Sequence, residues 1–173
     1  MRRILLSCVL LALLTLPAAG AARASARQGK PGFLVVRRAA GDGNSRPVAT
    51  VVVHGFVLGR LSHEARVDVI QLPSATGQGA PQVRGADVST NDIKWHGFPG
   101  KEYSGSNFRF RAIGGFYRVV VRGSGIYLFA GGDGHVTLRG SSVYRHHDGL
   151  FSVNGGRFSS LPARPLTRQI GRG

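Results

Sequence analysis

From Pro47 to Leu161 the chain is built of short runs rich in Val, Ile, Phe and Tyr, broken by glycines every 8 to 12 residues. Within these runs the apolar positions recur with a period of two: Phe108 and Phe110, Tyr117 to Val121, Ile126 to Ala130, Val136 and Leu138. Such alternation places Phe108, Phe110, Tyr117, Val119, Val121, Ile126, Leu128, Ala130, Val136 and Leu138 on one face of extended strands. No window carries a 3.6-residue period, and glycines interrupt each candidate helix. The pattern predicts an all-β domain of about ten short strands.

Turn chemistry extends that prediction to strand pairing. A two-residue turn at Gly114-Gly115 sets Phe110 opposite Val119, and one at Ser124-Gly125 sets Val121 opposite Leu128. A three-residue turn at Gly132-Asp133-Gly134 sets Leu128 opposite Leu138, completing a four-stranded antiparallel meander. An offset of 69 residues lays Val51, Val52 and Val67 on Val120, Val121 and Val136. A duplication of that kind implies two packed meanders, as a β-sandwich or a closed barrel.

The flanks differ from this body. Residues 1–26 hold Arg2-Arg3, an apolar run over 4–16, Pro17 and a small-residue end at Ala24-Ser25-Ala26. That is the tripartite form of a secretory signal peptide, cleaved after Ala26, and its apolar run is shorter than the ~20 residues that span a bilayer. Residues 27–46 form a leader or an edge strand, 47–162 the β-domain, and 163–173 a basic tail carrying Arg164, Arg168 and Arg172. The Gly/Pro-rich stretches 73–81 and 97–106 are expected to be longer loops.

Charge changes the picture most. The chain carries 23 Lys+Arg against 8 Asp+Glu, a formal net charge of +15, and all but Lys30, Lys94 and Lys101 of the cations are Arg. The lone cysteine, Cys8, falls within the signal, so the mature chain has no disulfide, thiolate metal site or cysteine nucleophile. In the meander register Arg109, Arg111, Arg118, Arg122 and Arg139 share the outward face with Tyr127 and Phe129. Guanidinium forks bind phosphate and carboxylate, and the rings offer flat platforms, so this face is a candidate polyanion-binding site. The other reading keeps these arginines as ordinary surface cations whose stems cover Val120 and Phe129. The partner expected on the first reading is an anionic cell-wall polymer or polysaccharide, with no cofactor and no membrane contact after signal cleavage. Secretion argues against nucleic acid.

Catalytic signatures are sparse. G-x-S-x-G, P-loop, dinucleotide-fold and H-E-x-x-H motifs are missing. A secreted hydrolase with a cryptic site drawn from Asp133, His135, His147, Ser124, Ser141 and Ser152 is the alternative. The histidines show no ligand-like i,i+2 or i,i+4 spacing, so no metal is expected. Trp95, His96, Phe98 and Tyr103 form an aromatic group that either stacks on carbohydrate or folds over the sheet edge.

The runs from Phe116 to Ile126 (FYRVVVRGSGI), Gly134 to Gly140 (GHVTLRG) and Asp148 to Val153 (DGLFSV) resemble those of a loose group of uncharacterised secreted proteins of high-GC actinobacteria. The stretch from Gly55 to Leu61 (GFVLGRL) shares the likeness. The resemblance implies a secreted all-β domain and brings no catalytic residue with it.

Overall fold

The computed structural model describes residues 31–38, 46–74, 79–140 and 148–171. The signal segment, Ser141 and His147 lie outside them. The described residues contain strands and no helix. In chain order the strands are β1 (Gly32–Arg38), β2 (Pro47–Leu61), β3 (Ala65–Leu72), β4 (Gln82–Arg84), β5 (Val88–Trp95) and β6 (Phe98–Gly105). They continue with β7 (Phe108–Gly123), β8 (Ile126–Leu138), β9 (Leu150–Val153), β10 (Ser159–Ser160) and β11 (Leu166–Ile170). All join one antiparallel sheet in the order β10-β9-β1-β8-β2-β7-β3-β6-β5, with β4 added beside β7 and β11 beside β8.

The register shows that this sheet is folded over on itself. β2 has 15 residues and at ~3.3 Å per residue would reach about 50 Å if straight. Yet Pro47 lies opposite Arg122 while Leu61 lies opposite Ile126. Those two partners are so close in the chain that at most ~14 Å separates them. β2 must therefore double back, and β7 and β8, paired to it on either side, double back with it. Residues 56–61, 108–113 and 126–131 build a first layer together with β4, β1, β9 and β10. Residues 47–55, 115–123 and 132–138 build the second, together with β3, β5, β6 and β11.

The bend runs along a line of glycines. The β2–β7 register slips between Gly55 and Phe56, leaving Gly114 as an extra bulge residue at φ 71°. Gly55 faces Gly132 across the pair, and a methyl group on either would strike the other strand's backbone: Gly131 O from Gly55, His54 O from Gly132. At the opposite end two short links cross between layers: residues 62–64 carry β2 into β3, and Ser124-Gly125 carries β7 into β8. They are tied by Ser62, whose N–H and Oγ both donate to Gly125 O, at 3.0 and 3.1 Å.

Side chains from both layers fill the space between them. Leu34, Val36, Val57, Leu61, Phe108, Ile126, Leu128 and Ala130 come from the first layer. Ala49, Val51, Val53, Val67, Val69, Tyr117, Val119, Val121, Val136, Leu138 and Ile170 come from the second. All ten positions assigned inward by alternation are buried. Near the Ser62–Gly125 end Arg38 and Asp148, both almost fully buried, form an ion pair at 3.1 Å.

The fold is thus the expected antiparallel sandwich, but several details change. The sheet has two free ends and does not close into a barrel. Gly114-Gly115 and Gly132-Asp133-Gly134 are not hairpin turns; each lies inside one long strand. Ser124-Gly125 does connect two strands, yet β7 and β8 flank β2 and never pair. Phe110 accordingly faces Gly59, Val121 faces Val67, and Leu128 faces Val36 and Gly59. The 69-residue offset equates the β2 bend at Gly55-Phe56 with the Ser124-Gly125 link, so it matches unlike elements. β1 is an interior strand between β8 and β9, residues 98–105 are strand β6, and Leu166–Ile170 of the basic tail is strand β11. The β5–β6 connection is the two-residue turn His96-Gly97, both at positive φ.

Gly132 combines φ 131° with a backbone atom where a methyl would sit, whereas Gly97, at φ 84°, has nothing within 4 Å. Gly132→Ala should cost about 3 kcal/mol or more and Gly97→Ala about 1 kcal/mol, measured by chemical denaturation. Equal losses would contradict the bend.

Candidate functional site

The outer face of the first layer carries side chains in cross-strand rows. Nearest the end tied by Ser62 and Gly125, one row reads Arg84, Arg109, Arg60, Tyr127, Arg37, Leu150, each directly opposite the next on the adjoining strand. The next reads Gln82, Arg111, Leu58, Phe129, Val35, Ser152. The third, at the bend, reads Ile113, Phe56, Gly131, Phe33. An open groove of about 1090 Å³ lies on this face, lined by Arg60, Arg84, Arg109, Arg111, Tyr127, Leu58 and Phe129 among others.

Local alternation explains the composition. In β2, Val57 and Leu61 point inward, so Phe56, Leu58 and Arg60 point out. In β7, Phe108, Phe110 and Ala112 point in, leaving Arg109, Arg111 and Ile113 outside. Arg37 lies 5.4 Å from the ring centres of both Tyr127 and Phe158. Arg111 is oriented by its Nε–H, which donates to Gln82 Oε1 at 2.7 Å. Its terminal nitrogens are then the ones suited to a bidentate oxyanion contact.

The two layers differ in how many of their cations have acidic partners. Among the described residues, Arg37, Arg60, Arg84, Arg109 and Arg111 form no ion pair, and no acidic residue shares their rows. Arg84, Arg109 and Arg60 sit directly opposite one another, an arrangement that destabilises a sheet unless an anion screens it. On the second layer three cations have acidic partners, while Lys94, Arg118, Arg139 and Arg168 form no ion pair among the described residues. Arg122 Nη1 donates to Asp68 Oδ2 at 2.8 Å, Arg66 meets Glu102 at 3.4 Å, and Lys101 meets Asp92 at 2.8 Å.

The six residues expected on one surface are therefore divided. Arg109, Arg111 and Tyr127 lie on the first layer's outer face. Arg118 and Arg122 lie on the outer face of the second layer, and Arg139 follows β8 there, its N–H bonded to Val48 O at 2.9 Å. The anticipated Arg111–Arg118 confrontation does not occur, because β7 changes layer between them. Arg118 instead stacks 4.5 Å from the Trp95 ring, and burial lowers its guanidinium pKa, Asp68 opposing that shift and Arg122 adding to it. Val120, between Arg118 and Arg122 at an outward position, is only 1% exposed. Arg37, Arg60 and Arg84 belong to the site and were not anticipated, although outward alternation with Val36, Leu61 and Val83 marks each of them.

No hydrogen bond joins Asp133, His135, Ser124 and Ser152 among the described residues. Asp133 and His135 are exposed on β8, and Ser152 Oγ is committed to Gly156 O at 2.6 Å. Ser62 Oγ lies 3.1 Å from His63 Nδ1, but the residues are adjacent and the hydroxyl donates to Gly125 O. Among the described residues no three His, Cys, Asp or Glu cluster as metal ligands. The aromatic group splits across the hairpin: Tyr103 faces the core opposite Val67, while Trp95 and Phe98 lie on the other side. No protein-family model, curated protein or solved structure matches the chain.

Asp68 Oδ1 is buried without a hydrogen-bond partner, so Asp68 depends on Arg122. Arg122→Gln should destabilise by about 1–3 kcal/mol. Arg60→Gln, which relieves like charge, should be neutral or stabilising by up to about 0.5 kcal/mol in the same denaturation assay. A destabilising Arg60→Gln would show that the arginine row is structural.

Proposed function

We propose that the protein is a secreted, non-enzymatic β-domain that binds an anionic component of the cell envelope through the outer face of its first layer. The observation that carries this reading is the row Arg84-Arg109-Arg60-Tyr127-Arg37, four cations and a ring on one line with no acid among them. Neighbouring strands are ~4.8 Å apart, so the row spans about 20 Å and meets several anionic groups at once. Each guanidinium offers a planar fork to phosphate or carboxylate, while Tyr127 supplies a flat apolar surface between the charges. Like charges directly opposite one another lower fold stability, and a bound polyanion offsets that cost. Arg2-Arg3, the apolar run after them and Ala24-Ser25-Ala26 support an extracytoplasmic location.

The test is retention on an immobilised anionic polymer, such as teichoic acid or heparin, as salt is raised. Replacing Arg37, Arg60, Arg84, Arg109 and Arg111 by Gln should move elution to much lower salt. A charge-matched variant with Arg66, Lys94, Arg118, Arg139 and Arg168 replaced by Gln, all from the second layer, should elute near the wild type. Equal shifts in the two variants would reduce the effect to net charge and remove the site.

A further inference from the structure

We infer that the anionic component is a lipid surface, on which the first layer docks with its arginine row among the headgroup phosphates and its bend buried toward the acyl chains. This rests on the reading that the first layer is the binding face, and adds the nature of what it binds. The added observation is where the apolar exposure lies. Among the described residues, Phe33, Ile113, Tyr127, Leu150 and Phe158 are the large hydrophobic side chains left exposed, each between 45% and 49%. Phe33, Ile113, Tyr127 and Leu150 occupy the rows of the first layer, and Phe158 lies against Arg37. The outer face of the second layer has none of them.

Their order along the strands matters as much as their number. Successive rows are two residues, or ~6.7 Å, apart, and they run from cationic through mixed to apolar as the bend is approached. Phe129 is the hub of the apolar part: Phe33 stacks on it at 5.8 Å and 6°, and Phe56 tilts against it at 5.5 Å. A hydrophilic polymer lying along the arginine row would leave Phe33, Ile113 and Leu58 in water. An anionic bilayer satisfies both ends, since phosphates meet the guanidinium row while the third row, ~13 Å away, reaches the headgroup–acyl boundary. The arginine stems can extend upward from a tilted sheet to keep their charges at headgroup level. This departs from the expectation of no membrane contact after signal cleavage; no helix among the described residues is long and apolar enough to cross a membrane. Peripheral docking by a sheet face is a different mode.

The experiment is sedimentation of the full mature chain with vesicles of phosphatidylglycerol and phosphatidylcholine in equal parts, against phosphatidylcholine alone. Binding is expected to the anionic vesicles only. At about fivefold per arginine, replacing Arg37, Arg60, Arg84 and Arg109 by Gln should weaken it by roughly 10²–10³-fold. Replacing Phe33 and Ile113 by Ser should weaken vesicle binding about tenfold or more and leave retention on heparin unchanged; both side chains are outside the core, so circular dichroism should match the wild type. Trp95, the single tryptophan and on the second layer, should keep its emission when brominated lipid is used, whereas a Trp introduced by Ile113→Trp should be quenched. Wild-type retention on heparin without vesicle binding, or vesicle binding indifferent to Phe33 and Ile113, would overturn the lipid inference and leave the anion-binding face standing. Failure on both supports would overturn the two together.

Discussion

The architecture depends on one close approach: Gly55 against Gly131-Gly132, beside the Gly114 bulge, where three adjacent strands turn from one layer into the other. A sheet can fold back sharply only where side chains are missing on its inner side, because packed strands have no room for an added methyl. Once β2, β7 and β8 bend together, their two halves face each other and bury one core. Ser62 and Gly125 then close the opposite end, so each layer's inner face is covered and its outer face is left to solvent.

That bend also decides the charge distribution. Without it, Arg109, Arg111, Arg118 and Arg122 on β7 would share a surface, as a simple meander requires. With it, the first pair joins Arg37, Arg60 and Arg84 in rows that hold no acid among the described residues, and the second pair meets Trp95 and Asp68. The two outer faces of one sheet thus differ: the second pairs some of its cations with Asp68 and Glu102, and the first carries unpaired arginines beside exposed apolar rows.

What local sequence could and could not reveal follows from the same physics. Alternation gave the correct inward set, from Phe108 to Leu138, because burial acts on every residue wherever its strand lies. It even followed the change of phase between Ala112 and Tyr117, which is the bulge at Gly114. Pairing was misread because glycine permits both a hairpin turn and a bend within a strand, and the choice is made by residues far away in the chain. Here β2 takes the place between β7 and β8 that a hairpin would have closed. The site was half legible for that reason: Arg109, Arg111 and Tyr127 lie in the segment whose alternation was clear, while Arg37, Arg60 and Arg84 join them only through long-range register. His96-Gly97 was legible in principle, since a left-handed residue pair flanked by Trp95 and Phe98 makes a tight turn.

The proposed function requires that one face of this sheet, and not the chain's charge as a whole, engages anions. Arginine modification by phenylglyoxal, followed by peptide mass mapping with and without an anionic matrix, tests it residue by residue. Protection of Arg37, Arg60, Arg84, Arg109 and Arg111 is expected on binding, with the reactivity of Arg66 and Arg139 unchanged. Protection spread evenly over both layers, or confined to the second, would contradict it.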